Sequence, residues 1–147
     1  MSKQVITIVV SLLLFLQLAT PMNSAKDLAA MVKRQATAWE TQDPELLIGD
    51  FAEDALFLAA GFKFQGRAAI QKAAEDYFRN FTDTEVTIKR IILEKNQGAV
   101  EWDWRDRKRK TNQLSAAEDA IIFELNDDSK IVYWREYIEK KKVVSSR

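Results

Sequence analysis

Lys130-Ile131-Val132-Tyr133-Trp134-Arg135-Glu136-Tyr137-Ile138 packs three large aromatics, an arginine and a carboxylate into one β-prone run. Read as a strand, it sends Val132, Trp134, Glu136 and Ile138 to one face and Ile131, Tyr133, Arg135 and Tyr137 to the other. Glu136 then stands between Trp134 and Ile138, where an ordinary core holds hydrocarbon. Burying a carboxylate costs on the order of several kcal/mol unless it is paired or protonated. The misfit marks Glu136 as a candidate functional group.

Upstream of this run the same character continues. Thr84–Leu93, Gly98–Arg107 and Gln113–Leu125 are further β-prone runs, and Asn96-Gln97-Gly98, Lys108–Asn112 and Asn126–Ser129 supply the turn chemistry between the four. Before Thr84 the period changes. Leu28, Met31, Val32, Ala36 and Trp39 recur at helical spacing over Lys26–Thr41. Asp43-Pro44 starts a second, short helix reaching about Phe51, with the aspartate as cap and proline in the first turn. Ala55–Leu58 reads as a brief strand and Ala60–Gly66 as a loop or second short strand. Ile70, Ala73, Ala74 and Tyr77 mark a third helix to about Arg79. Helices first and a strand meander second predict an α+β layer, with helices covering one sheet face.

The 147-residue chain, 47% hydrophobic, is long enough for one domain with a substantial core. Its first segment is of another kind. Lys3 is the only charge before Lys26, Val5–Ala19 is nearly unbroken hydrocarbon, and Asn23-Ser24-Ala25 ends the segment in small residues. This is the pattern of a secretory signal cleaved after Ala25, rather than a span. The expected organisation is therefore a signal peptide over 1–25 and one domain over 26–147, secreted or periplasmic, with no membrane attachment once the signal is cleaved. Ser24 and Asp27 also have the spacing of a helix-capping pair, which cleavage would remove.

Losing that segment takes away one of 22 basic residues and none of the 22 acidic ones. A balance so near neutrality argues against nucleic acid as a partner. The basic runs Arg105–Lys110 and Lys140–Lys142 read as solvated turn and tail. The absence of cysteine and histidine excludes disulfides, thiol nucleophiles, histidine triads and zinc sites built on those ligands. No cofactor is expected.

Two carboxylates stand out in the strands. In the run from Gln113, the face Ser115, Ala117, Asp119, Ile121, Phe123 is small or apolar apart from Asp119. Trp102 and Trp104 share a face, while Glu101, Asp103 and Arg105 take the other. If these rows point inward with Glu136, two carboxylates meet in an aromatic-walled pocket. Burial and mutual repulsion then raise at least one pKa toward neutrality, which suits acid/base work. Asp119 and Glu136 are the candidate catalytic pair. Tyr77, Trp102, Trp104, Phe123 and Trp134 are the candidate ligand-binding residues. The alternative is a structural ion pair with Arg135, Arg67 or Arg105, the tryptophans serving as core.

The order of several short motifs resembles the nuclear transport factor 2-like superfamily, in particular its SnoaL-like branch. They are Trp39 with Asp43-Pro44-Glu45-Leu46, then Phe51-Ala52-Glu53-Asp54-Ala55, Phe64-Gln65-Gly66-Arg67-Ala68-Ala69-Ile70, Val100-Glu101-Trp102-Asp103-Trp104 and Lys130-Ile131 with Trp134-Arg135-Glu136-Tyr137. The resemblance implies three N-terminal helices on a curved, four- to six-stranded antiparallel sheet, a cone-shaped cystatin-like α+β barrel around a mostly apolar pocket. It also implies that such domains pair as homodimers through the outer sheet face, to which Tyr133, Arg135 and Tyr137 are assigned. It implies no single activity. Relative to the superfamily's ketosteroid isomerases, the general-base position falls on Ala59 and the oxyanion tyrosine on about Gln35, while Asp119 lies about two residues from the oxyanion aspartate. Relative to its limonene-epoxide hydrolases, Glu136 takes the place of a catalytic aspartate, but the partner arginine and second aspartate fall on Trp102 and Trp104. Scytalone dehydratase-like chemistry uses histidines, which are absent. What remains is an exported domain binding a small apolar or amphipathic molecule, with isomerase, dehydratase or hydrolase chemistry open to it. The alternative is a non-catalytic dimeric binding or assembly module.

Overall fold

The computed structural model describes residues 24–143. The signal-peptide reading of 1–25 therefore lies outside the described residues, except for Ser24 and Ala25. Ser24 caps the first helix, α1 (Ala25–Thr41): its Oγ accepts from the Asp27 backbone N–H at 3.2 Å, and the Asp27 carboxylate accepts from the Ser24 N–H at 3.3 Å. Gln42 ends α1 in the left-handed region, which turns the chain into α2 (Pro44–Gly49). Asp43 Oδ1 caps that helix by accepting from Leu46 N–H at 2.9 Å.

The short helix stops before Phe51, which instead opens a longer strand than expected, β1 (Phe51–Ala59). It is followed by β2 (Phe62–Gln65), α3 (Arg67–Asn80), β3 (Phe81–Glu94), β4 (Gln97–Lys108), β5 (Gln113–Leu125) and β6 (Ile131–Lys141). The six strands form one curved sheet in the order β2-β1-β6-β5-β4-β3. All neighbours are antiparallel except β1 and β6, which run parallel, so the sheet is mixed rather than purely antiparallel. Consecutive strands can close by tight turns. β1 and β6 lie far apart in sequence, with β2, α3 and the meander between them, and this separation permits parallel pairing.

The apolar stripe of α1 (Leu28, Met31, Val32, Trp39) and Ile70, Ala74 and Phe78 of α3 pack on the inner sheet face. That face supplies Val100, Trp102, Ile121, Phe123 and Trp134, all buried. One expectation fails at the start of β6. Strict alternation assigns Ile131 outward, but it is fully buried. The register explains it: Glu124 pairs with Tyr133 while Leu125 pairs with Ile131, so Val132 is an extra residue. A bulge of this kind shifts the parity before it by one, and Ile131 turns into the core beside Phe51.

Candidate functional site

The inner face of the sheet carries a ladder of functional groups toward one end. Trp102, Asp119 and Ile138 are cross-strand partners on β4, β5 and β6; Trp104, Ala117 and Lys140 form the next rung, and Asp106 and Ser115 pair beyond it. Glu136 pairs with Ile121, so it is the diagonal neighbour of Asp119, at a Cβ separation of roughly 7 Å. Small residues Ala59, Ala60, Ala73 and Ala117 leave a cavity of about 1080 Å³ between this ladder and α3. Its walls are aromatic: Trp39, Phe64, Tyr77, Phe81 and Trp104. Asp119 and Glu136 both line it. A smaller depression of about 560 Å³ on the sheet is bordered mainly by charged groups, among them Lys89, Glu101, Asp103 and Glu118; Trp102, Tyr137 and Asp119 border it as well.

Asp119 is 5% exposed. Its Oδ2 accepts from the Trp102 indole Nε1–H at 3.2 Å, and its buried Oδ1 has no hydrogen-bond partner. Desolvation pushes its pKa up to about 6, against the lowering effect of the Trp102 donor. Glu136 Oε1 accepts from Trp134 Nε1–H at 2.9 Å. Desolvation pushes Glu136 up to about 8; the Trp134 donor holds it back, and the charge on Asp119 adds to the rise. Near neutral pH the two groups therefore differ in state, Glu136 mostly holding its proton and Asp119 mostly without one.

Neither carboxyl forms an ion pair among the described residues. Arg67 reaches Glu53 at 2.8 Å, Arg135 lies over the Tyr137 ring at 4.8 Å, and Arg105 is exposed. Of the predicted ligand-binding residues, Tyr77 and Trp104 line the cavity. Trp102, Phe123 and Trp134 do not. They are fully buried beneath its floor, and two of them act from there by donating to the carboxyls.

Sequence reasoning missed Asp106. It was absorbed into the basic run Arg105–Lys110, yet it is 5% exposed and lines the cavity. The Tyr77 hydroxyl donates to Asp106 Oδ2 at 2.6 Å and the Trp104 indole donates to the same oxygen at 3.0 Å; the Ser115 hydroxyl donates to Oδ1. Burial, and then the bond to Asp106, push the Tyr77 hydroxyl pKa well above its ordinary value. The missed signal was alternation: Trp102, Trp104 and Asp106 share parity. Gln35, near which the resemblance sets the isomerases' oxyanion tyrosine, is a structural residue here. Its amide donates to the Leu47 carbonyl at 2.9 Å and to Asp50 at 3.1 Å.

Comparison with known proteins agrees with this architecture. No curated protein matches the sequence. A putative hydroxylase from Streptomyces galilaeus superposes with a TM-score of 0.68 at 18% identity, over 79% of this chain and 81% of its own. An M. tuberculosis LEH-like epoxide hydrolase gives 0.66 at 18% identity, over 75% and 80%. A protein with ketosteroid isomerase-like fold from Catenulispora acidiphila, solved with trimethylamine, gives 0.67 at 20% identity, over 73% and 83%. At such identities the likeness establishes the fold alone. The family model described as SnoaL-like domain matches residues 32–134, and the chain belongs to that family.

Proposed function

We propose that this chain is an exported SnoaL-like domain that binds a small, mostly apolar or amphipathic molecule in the cavity and acts on it by acid/base catalysis. One observation carries the reading: two carboxyls at the floor of an aromatic-walled cavity, diagonal to each other and without an ion pair among the described residues. A structural role would have brought an arginine or lysine to them. Glu136, holding a proton near neutrality, donates to an oxygen of the bound molecule, and Asp119 accepts the proton released from carbon or from water. Isomerisation, dehydration and ring-opening hydrolysis all reduce to this exchange. The names of the structural neighbours, an epoxide hydrolase and an isomerase-like protein among them, fall in the same range of chemistry.

Native mass spectrometry of the protein purified from its own host tests binding. A retained small molecule is expected, and it is lost in Ala117→Phe, which fills the cavity floor. The same spectrum reports whether the chain starts at Lys26, as export requires. Once a substrate is in hand, Asp119→Asn and Glu136→Gln each abolish turnover without unfolding the protein. Full turnover in both variants removes the catalytic half of the reading.

A further reading concerns assembly. Ile92, Ile122 and Tyr137, all on the outer sheet face, are 57%, 45% and 49% exposed, and such a patch favours a homodimer joined through that face. Sedimentation of Ile122→Lys, expected to be monomeric, tests it.

A further inference from the structure

We infer that the cavity takes an amphipathic anion, whose apolar body lies between the aromatic walls and whose negative head is held at the mouth by Lys108, Lys140 and Lys142. The inference rests on the cavity reading above and adds the chemical class of the ligand. Two basic runs far apart in sequence, each of which looks like solvated tail when read alone, converge on the rim of one cavity. The rungs of the ladder bring this about. Lys108 follows Trp104 and Asp106 on the inner parity of β4, and Lys140 follows Glu136 and Ile138 on that of β6, opposite Ala117. Lys142, just past the end of β6, also lines the cavity.

The contrast with Lys141 is informative. It lies between the other two in sequence and forms ion pairs with Glu118 at 3.2 Å and Glu139 at 3.1 Å. Among the described residues, Lys108, Lys140 and Lys142 have no ion pair. Around them the rim is greasy: Phe62, Leu114 and Val143 are 66%, 46% and 42% exposed. The floor, by contrast, carries Asp119 and Glu136 and no cation. The cavity is thus polarised from an acidic floor to a basic, apolar-edged mouth; the one carboxylate between them, Asp106, has its oxygens taken up by the Tyr77, Trp104 and Ser115 donors. From Asp119, β5 advances roughly 7 Å to Ala117, the partner of Lys140, and roughly 20 Å to Gln113, the partner of Lys108, so the head sits at the Lys108 end. A molecule entering head-last keeps its negative end away from the floor carboxyls, and the lysines supply its counter-charge. A free carboxylate and a lipid headgroup share this chemistry, and the test separates them.

Decanoate, decanol and decyltrimethylammonium have nearly equal straight hydrocarbon chains, of nine, ten and ten carbons, and present heads of different charge. Binding of each to the full-length chain at neutral pH is read by tryptophan fluorescence, because Trp39 and Trp104 line the cavity. Decanoate is expected to bind about tenfold more tightly than decanol, as three exposed charge contacts of ordinary strength imply, and the ammonium probe more weakly than either. The preference shrinks toward ~1 M salt, where the screening length falls to about 3 Å. The variant carrying Lys108→Gln, Lys140→Gln and Lys142→Gln binds decanol as before and loses the preference for decanoate. Equal binding of decanoate and decanol by the wild type overturns this inference and leaves the cavity reading standing; failure of every probe to bind overturns both. Lysine-dependent flotation with phosphatidylglycerol vesicles, combined with no anion preference in solution, assigns the lysines to a membrane surface and likewise overturns it.

Discussion

Trp102 and Asp119 face each other across β4 and β5, and the indole N–H satisfies one carboxylate oxygen while the other stays buried without a partner. Asp119 is thus held in place without its charge being neutralised. Glu136, one diagonal step away, is held in the same manner by Trp134. Each tryptophan fixes a carboxyl from below and leaves the cavity side to a ligand.

This arrangement dictates how stability responds to pH. In the folded state the Asp119 pKa rises from its ordinary 3.8 to about 6, and that of Glu136 from 4.5 to about 8. Both groups bind protons more tightly folded than unfolded, so their contribution is fully present below about pH 4 and is lost as pH rises toward 8. Urea unfolding across that range is expected to show falling stability from these two sites. Glu136→Gln flattens the upper part of the fall and gains about 1–3 kcal/mol over the wild type above pH 8. Asp119→Asn flattens the part between about pH 4 and 6. A Glu136→Gln curve parallel to that of the wild type over the whole range would contradict the assignment.

Asp106 makes a separate prediction. Its two oxygens accept from the Tyr77, Trp104 and Ser115 side chains. Asp106→Ala removes the acceptor shared by all three donors, although Trp104 keeps its 3.2 Å bond to the Tyr77 hydroxyl and Tyr77 has Thr84 Oγ1 at 3.3 Å; it should cost about 2–3 kcal/mol, while Tyr77→Phe should cost about 1–2 kcal/mol. Combining the two tests whether they form one network. A coupling below about 0.5 kcal/mol means they act independently.

Asp106 also marks the boundary between what the sequence makes legible and what only the fold reveals. Hydrophobic period places α1, α3 and the four long strands, each amphipathic enough for period alone to decide, while α2 is marked by the Asp43-Pro44 cap. The same alternation put Asp119 and Glu136 on the inner face. It would have placed Asp106 there too, but a residue flanked by Arg105 and Arg107 was weighed by the charge of its neighbours instead of by its parity. Ile131 failed for another reason. A single bulged residue, Val132, inverts the face, and nothing in local composition announces it. Convergence of Lys108 with Lys140 and Lys142 is a tertiary fact, fixed by β4 and β6 lying on either side of β5.

Gly98 is the second residue of β4, opposite Leu93 at the hairpin with β3, and a methyl group there has no room. A Cβ would lie 2.6 Å from the Ile92 carbonyl oxygen and 2.6 Å from the Phe123 ring. The carbonyl belongs to the backbone of the paired strand and cannot swing away. Gly98→Ala is therefore expected to destabilise the protein by about 2–3 kcal/mol through overpacking, as read by thermal or urea unfolding. A loss under about 0.5 kcal/mol would mean that the hairpin yields more easily than its geometry indicates.

Trp134 joins the core to the chemistry, and its replacement separates the two. Its ring is fully buried between Phe51, Phe57, Trp102 and Phe123, and its Nε1–H is the hydrogen bond that holds the Glu136 pKa down against desolvation. Trp134→Phe keeps an aromatic in the stack but removes that donor and part of the volume. Stability should fall by about 1–3 kcal/mol. The Glu136 carboxyl, followed by carbon-13 NMR, should titrate above its wild-type midpoint, because only the lowering influence has been deleted. A midpoint that stays put, or moves down, would show that Trp134 serves the core alone and that the proton on Glu136 is governed from elsewhere.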